Sequence, residues 1–469
     1  MIHKIDTYLE AHMPELLSDL AQLVAVNSER MPAQAGMPFG PGTAQCVAEA
    51  ERMLRTYGFV AKNYDNYVLA ADIAPELPQG LDILAHLDVV PAGDGWRVTD
   101  PFVMKIENGK AYGRGTADDK GPALCALYAM RAVKDLGVPL CRNTRLILGT
   151  DEECGSSDLD YYFTQEKSAP YSVSPDAEFP LISIEKGGLR SGFHAATPLP
   201  TSLPRVTMVS AGLKINIVPD KATAILQGIS EEDLDVYIQA ISTMDGIHFS
   251  CEKTVDGIAI VAHGKTGHAS KPENSHNAIT ALLKLLATLP LSEATLHQQL
   301  RSLARLFPHG DFYGEALGVN LADDISGKTT LTLDMLSYSA EDGLDGAFDC
   351  RACLSANDDN TSRVIYEKFQ REGLTPRDKK MYAAHHVAED SLLVQKLLDA
   401  YEQVAGDRPK PLCIGGGTYV HDIDNGVAFG CSFHDTDNRM HGADEFMTLN
   451  HMLFTCKVYA RAILALCGA

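Results

Sequence analysis

Leu9, Met13, Leu16, Leu17, Leu20 and Leu23 recur at helical spacing and predict an amphipathic helix over Ile5–Val26. A Gly/Pro-rich loop follows, then a second helix over Ala44–Tyr57 that Gly58 stops. Three apolar runs of strand length come next: Tyr67–Ile73, Leu81–His86 and Thr144–Gly149. Between the last two, Pro122–Leu136 reads as a helix with Pro in its first turn and Gly137 past its end. Strands alternating with helices predict an α/β domain with a mainly parallel sheet flanked by helices.

Near Gly187 the pattern changes to shorter alternation. Val206–Val209, Ala222–Gly228, Ile258–Val261, Thr330–Met335 and Phe348–Leu354 are strand candidates, and Asn277–Leu289 and Thr361–Glu372 helix candidates. After Ala384 the first pattern returns with a helix over Ser391–Val404, the run Val427–Ser432 and a C-terminal helix from Asn450. The expected organisation is one α/β domain in two segments, residues 1–187 and 384–469, interrupted by an inserted α+β domain over 188–383.

Composition narrows the field. The chain has 469 residues, with 40 Lys and Arg against 62 Asp and Glu, a net charge of −22. Nucleic acid and anionic membrane as partners call for dense positive charge, so both are excluded. No apolar run approaches the ~18 residues of a membrane span. The polar N-terminus and eleven irregularly spaced cysteines fit reduced thiols in the cytoplasm.

Five islands place His, Asp and Glu at the ends of predicted strands. They are Leu-Ala-His86-Leu-Asp88, Gly113-Arg-Gly-Thr-Ala-Asp118-Asp119-Lys120, Thr150-Asp151-Glu152-Glu153-Cys154-Gly155, Pro175-Asp176-Ala-Glu178 and Met440-His441-Gly-Ala-Asp444-Glu445. In an open α/β sheet, ligands bind beyond the strand ends, so the islands can converge. His86 and Asp88 leave one face of a strand, and a carboxylate there can fix the tautomer of a metal-bound imidazole. Asp119 reads as a helix cap, Asp151 as a turn residue, Glu178 as surface and His385-His386 as linker. His421 and His434 read as surface loop. Cys350 and Cys353 lack the second cysteine pair of a zinc site.

Together and in this order, the islands resemble the metallopeptidase family that includes acetylornithine deacetylase, aminoacylase, carboxypeptidase G and the carnosinases. Within it the resemblance is to the peptidase V branch of dinuclear-metal dipeptidases. It takes in Gly415-Gly-Gly-Thr-Tyr419, Asn216-Ile-Val-Pro219 and Gly267-His268-Ala-Ser270. The resemblance implies a catalytic domain with an inserted lid, and two divalent ions per chain, Zn²⁺ first and Mn²⁺ or Co²⁺ as alternatives. It implies that His86 and Asp176 hold one ion, Glu153 and His441 the other, and Asp118 both. Two such ions, three carboxylates and one hydroxide sum to zero charge, which burial tolerates. Glu152 is then the implied general base and His268 an oxyanion donor. Asn216, Arg351 and Gly416 are implied substrate contacts, with Arg351 on the C-terminal carboxylate and Asp88 on a free N-terminal ammonium. The chain departs from that branch at Arg351-Ala-Cys353, where Arg-Tyr-Pro is common, and at His421-Asp422, where Ala-Arg is frequent. The implied activity is hydrolysis of unblocked dipeptides by a monomer. An N-acyl amino acid deacylase is the alternative inside the family, and a catalytically silent binding homologue the alternative outside enzymes.

Overall fold

The computed structural model describes residues 1–241, 244–377 and 379–469. Two units form: residues 1–184, 385–413 and 417–469 make the first, and 185–384 with 414–416 the second. No local pattern signals that the short stretch Ile414–Gly416 belongs with the second.

The first unit is built on a mixed sheet. Its strands run in the order Val60–Tyr64, Val68–Asp72, Asn143–Gly149, Gln79–His86, Tyr171–Ser174, Gly426–Ala428, Ile182–Glu185 and His385–His386. The four from Asn143–Gly149 to Gly426–Ala428 are mutually parallel. The pairs on either side are antiparallel. The expected parallel sheet is thus its centre, where burial on both faces favours near-continuous apolar runs such as Leu81–His86. The helix Lys120–Asp135 is buried almost all round, which its alanines permit because small side chains allow close approach. It packs against Ile2–Val24 and Leu449–Cys467. Pro41 opens the helix Pro41–Thr56, where its missing N–H costs nothing.

In the second unit, eight strands pair antiparallel, in the order His248–Thr254, Gly257–His263, Lys221–Gln227, Arg205–Ala211, Thr330–Ser339, Gly343–Ala352, Gly187–Ala195 and Thr375–Pro376. Ala278–Thr288, capped by the Asn277 side chain on two main-chain N–H groups, shares this unit's core with Thr295–Leu306. The latter helix and the strands Gly187–Ala195 and His248–Thr254 were not expected. Phe348–Leu354 was expected as a strand; the observed one is Gly343–Ala352, because its alternation starts in the more polar stretch before Phe348. His385 and His386, expected as linker, form a two-residue edge strand where the chain re-enters the first unit. No described helix is long and apolar enough to cross a membrane.

Candidate active site

The topology of the first unit decides which side chains can meet. His86 ends one central parallel strand and lies directly across from Gly149, the last residue of its neighbour. Glu152 and Glu153 follow Gly149 in a short 3₁₀ turn, Glu152–Cys154. Asp176 follows the strand on the other side, Tyr171–Ser174. Three islands thus leave adjacent strands at the same end of the sheet, where binding sites of open α/β sheets form.

Asp118 draws in the remaining side chains. Its Oδ1 lies 3.1 Å from His86 Nε2, and its Oδ2 lies 2.9 Å from His441 Nε2. Asp176 Oδ2 is 3.6 Å from His86 Nε2, and Glu153 Oε1 is 3.1 Å from His441 Nε2. His86, Asp118 and Asp176 form one group with candidate ligand atoms within 4.8 Å of one another; Asp118, Glu153 and His441 form another. The two groups share Asp118, one oxygen each. His441 adopts φ +63°, a left-handed backbone that a non-glycine residue holds only when its surroundings impose it.

Buried hydrogen bonds fix these positions. His86 Nδ1 lies 3.0 Å from the main-chain oxygen of Asp88, so its Nε2 lone pair is left to face Asp118 and Asp176. The Asp88 carboxylate also has main-chain partners. It stands farther from the ring, at 3.4 Å, and accepts the N–H groups of Glu152 (3.3 Å) and Glu153 (3.2 Å). Asp88 is 1% exposed, and these bonds engage both of its oxygens. Asp119 stands at the N-cap position of Lys120–Asp135 but makes no cap bond; its carboxylate turns to the His86 N–H, 3.1 Å away. Asp151 is a turn residue with a buried carboxylate, held by Ser157 and Arg30. Glu445, the last residue of its island, has no role that the sequence implies. It accepts the N–H groups of Gly115, Ala117 and Asp118 and pairs with Arg114 at 2.5 Å, all out of solvent.

The electrostatics follow from crowding four carboxylates around the buried His86 and the more exposed His441. Burial and the neighbouring Asp176, Glu153 and Asp118 push Glu152 well above the usual carboxylate range, against the pull of His86. Burial and Asp118 likewise raise Asp176. Asp118 falls well below that range: burial opposes this, but the imidazoles on its two oxygens outweigh it. Hydrogen bonds to Asp118 and Glu153 push His441 up to about 11. The cluster demands positive charge. Its imidazole nitrogens stand 2.9–3.6 Å from the carboxylate oxygens, against about 3.3 Å between ligands of a tetrahedral ion with ~2.0–2.1 Å bonds. Glu153 Oε1 is buried without an aligned donor. The residues fit divalent cations.

Comparison with known proteins gives the family. Residues 83–465 match the model of peptidase family M20/M25/M40. The chain belongs to that family. The Bacillus subtilis (strain 168) protein named "Putative dipeptidase YtjP" is 33% identical over 460 residues, covering 96% of each chain. Among solved structures, human carnosine dipeptidase 1 aligns with TM-score 0.59 and 17% identity, over 99% of this chain and 98% of that one. The dipeptidase Dug1p of Saccharomyces cerevisiae aligns with TM-score 0.58 and 16% identity, again over 99% and 98%. These last two likenesses are of fold. As a member of this peptidase family the chain is a hydrolase.

The implied oxyanion donor and the implied substrate contacts other than Asp88 lie in the second unit of this M20-family chain. His268 is exposed, and its Nδ1 accepts the Ser270 N–H at 3.1 Å, so a neutral ring carries its hydrogen on Nε2 as a donor. Asn216 holds φ +84°, with its N–H on Asp334 at 2.9 Å and its buried Oδ1 without a partner. Arg351 is not the open fork expected. Its Nε and Nη2 close on both oxygens of Asp349 (2.6 and 2.8 Å) and its Nη1 bonds the Gly415 oxygen. Strand Gly343–Ala352 carries Asp349 and Arg351 two residues apart, on one face, so the pair satisfies itself. A side chain at Gly415 would strike Ser270, whereas a Cβ at Gly416 would make only an ordinary contact with Ile414, at 3.8 Å. Cys350 and Cys353 are buried free thiols.

The sequence gives no role to Asp158 or to Tyr419. Asp158 Oδ2 accepts the N–H of Thr150 (2.6 Å) and of Asp151 (3.0 Å) and the Tyr419 hydroxyl (2.5 Å). Asp158 lies just past the Glu152-Glu153 island and Tyr419 ends the glycine run, yet they are 261 residues apart, and no local pattern pairs them.

Proposed function

We propose that this M20-family peptidase is a dipeptidase that works with two divalent cations, Zn²⁺ first and Mn²⁺ or Co²⁺ as alternatives. The observation that carries the reading is Asp118, whose two oxygens face His86 with Asp176 on one side and His441 with Glu153 on the other. Those five residues would hold the pair. When bound, such ions polarise a scissile carbonyl and acidify water. Glu152 belongs to neither group, is part-buried, and has its N–H fixed by Asp88. It takes the proton from the attacking water and delivers it to the leaving amine, a task suited to a carboxyl raised by burial. The oxyanion-donor role for His268 stays as the resemblance implies it, on a ring whose Nε2 is the donor when neutral. Preference for dipeptides is supported by the name of the Bacillus subtilis relative. In this reading residues 188–383 act as a lid, the chain acts as a monomer, and the compartment is the cytoplasm.

The test is purified protein loaded with Zn²⁺, Mn²⁺ or Co²⁺ and assayed on free and N-acylated dipeptides, before and after chelation. Cleavage of free dipeptides that disappears on chelation is expected. Activity that survives complete metal removal, or none with any metal, refutes the proposal. Faster turnover of the blocked substrates would instead make the chain a deacylase.

A further inference from the structure

Two buried carboxylates take up four consecutive main-chain N–H groups. Asp158 Oδ2 accepts those of Thr150 and Asp151; Asp88 accepts those of Glu152 and Glu153. The turn that carries Glu152 and Glu153 is therefore held by side chains along its whole rising edge. Asp88 is placed by the strand that carries His86. Asp158 lies in the short helix Ser157–Tyr162, beyond the turn, and needs an anchor of its own. Its Oδ1 takes the Leu159 N–H at 2.8 Å, a bond within its own helix. The anchor from outside is the Tyr419 hydroxyl, 2.5 Å from Oδ2.

We propose that Asp158 and Tyr419 act as a pair of positioning residues, the hydroxyl fixing the carboxylate that sets the root of the Glu152 turn. The inference rests on the reading of Glu152 as the base. Asp158 is fully buried and Tyr419 is 4% exposed, so solvent does not compete for either partner. A Cβ on Gly149 would overlap both Tyr419 Oη and Asp158 Oδ2, so the contact closes over a position that only glycine can fill. The Tyr419 ring also stands edge-on to His86, with centroids 6.2 Å apart, so the same side chain borders both the turn and a proposed ligand. Misplacing a catalytic group by about 1 Å can cost on the order of a hundredfold in rate, while substrate affinity depends on other contacts. The pair therefore acts on kcat and spares KM.

The experiment is a double-mutant cycle on the full-length, metal-loaded enzyme with a dipeptide it cleaves, using Tyr419→Phe and Asp158→Asn. Tyr419→Phe keeps the ring and leaves Asp158 its main-chain donors, so it should fold. About a tenfold fall in kcat or more is expected, with KM within about twofold and metal content equal to wild type. The double variant should be no slower than the slower single, because both substitutions remove one contact. Wild-type kcat in Tyr419→Phe, or multiplying losses in the double variant, overturns the inference. If Asp158→Asn does not fold, Tyr419→Phe alone decides it. A wild type inactive with every metal defeats the proposed function itself, a different outcome from an active wild type with indifferent variants.

Discussion

The Glu445 carboxylate accepts the main-chain N–H of Asp118 at 3.2 Å. A residue four places after His441 thus shapes the loop that presents the carboxylate shared by both groups. One side of the site cannot shift without the other. The link is buried and includes the Arg114 guanidinium, so solvent cannot replace it.

Glu445→Gln should therefore loosen metal binding and lower stability together. The amide still accepts hydrogen bonds but leaves Arg114 charged, buried and unpaired, a cost of about 3–5 kcal/mol. Metal analysis after dialysis should find less than the wild-type content, and thermal melting a lower midpoint.

Glu152 and Glu153 are neighbours with different assigned tasks, and substitution separates them. Glu152→Gln should lower kcat by about 10²–10⁴-fold with metal content unchanged. Glu153→Gln should lose metal first and activity as a consequence. Elemental analysis beside steady-state kinetics tells the two apart; metal loss in Glu152→Gln would make that residue a ligand.

Metal binding should weaken as pH falls. Asp118 and Glu153 hold His441 protonated up to about 11, so an incoming cation must displace that proton. Competition with a chromogenic chelator at pH 6 and pH 8 should show tighter binding at the higher value, with protons released on loading.

Asp82 gives a pH test away from the site. It accepts hydrogen bonds from Gln79 and Ala169, and burial pushes it up to about 6. The folded chain then binds more protons than the unfolded one between about pH 4 and 6. Stability from this group is present below pH 4 and lost as pH rises through 6, a change on the order of 3 kcal/mol. Asp82→Asn, always neutral, should gain stability relative to wild type between pH 4.5 and 7.5 in urea unfolding. A difference independent of pH would refute it.

Arg351→Ala should unfold the second unit more than it impairs binding. It would strand the buried Asp349, which among the described residues retains only Arg190 as a cationic partner, at 3.2 Å. A clearly lowered melting midpoint is expected. A raised KM at unchanged stability would restore the substrate-carboxylate role.

How much was legible varied with the range of the interaction. The helices of the first unit and its central strands were legible because periodicity and run length are local consequences of which face is buried. The five islands stood out as well, since polar clusters at strand ends are rare enough to notice together. Gly187–Ala195 and His248–Thr254 were hidden: their residues alternate weakly, and it is their neighbours in the sheet that make them strands.

The sequence by itself determined that an acidic α/β chain carries imidazoles and carboxylates where strands end, in the order of a known peptidase family. Only the tertiary structure decided the pairings: Asp118 between two imidazoles, Asp88 on main-chain N–H groups, Arg351 closed on Asp349, Tyr419 on Asp158. Residue type limits what a buried polar group can accept or donate. Which partner it finds depends on which atoms the fold brings within hydrogen-bonding distance, and those lie up to hundreds of positions apart along the chain.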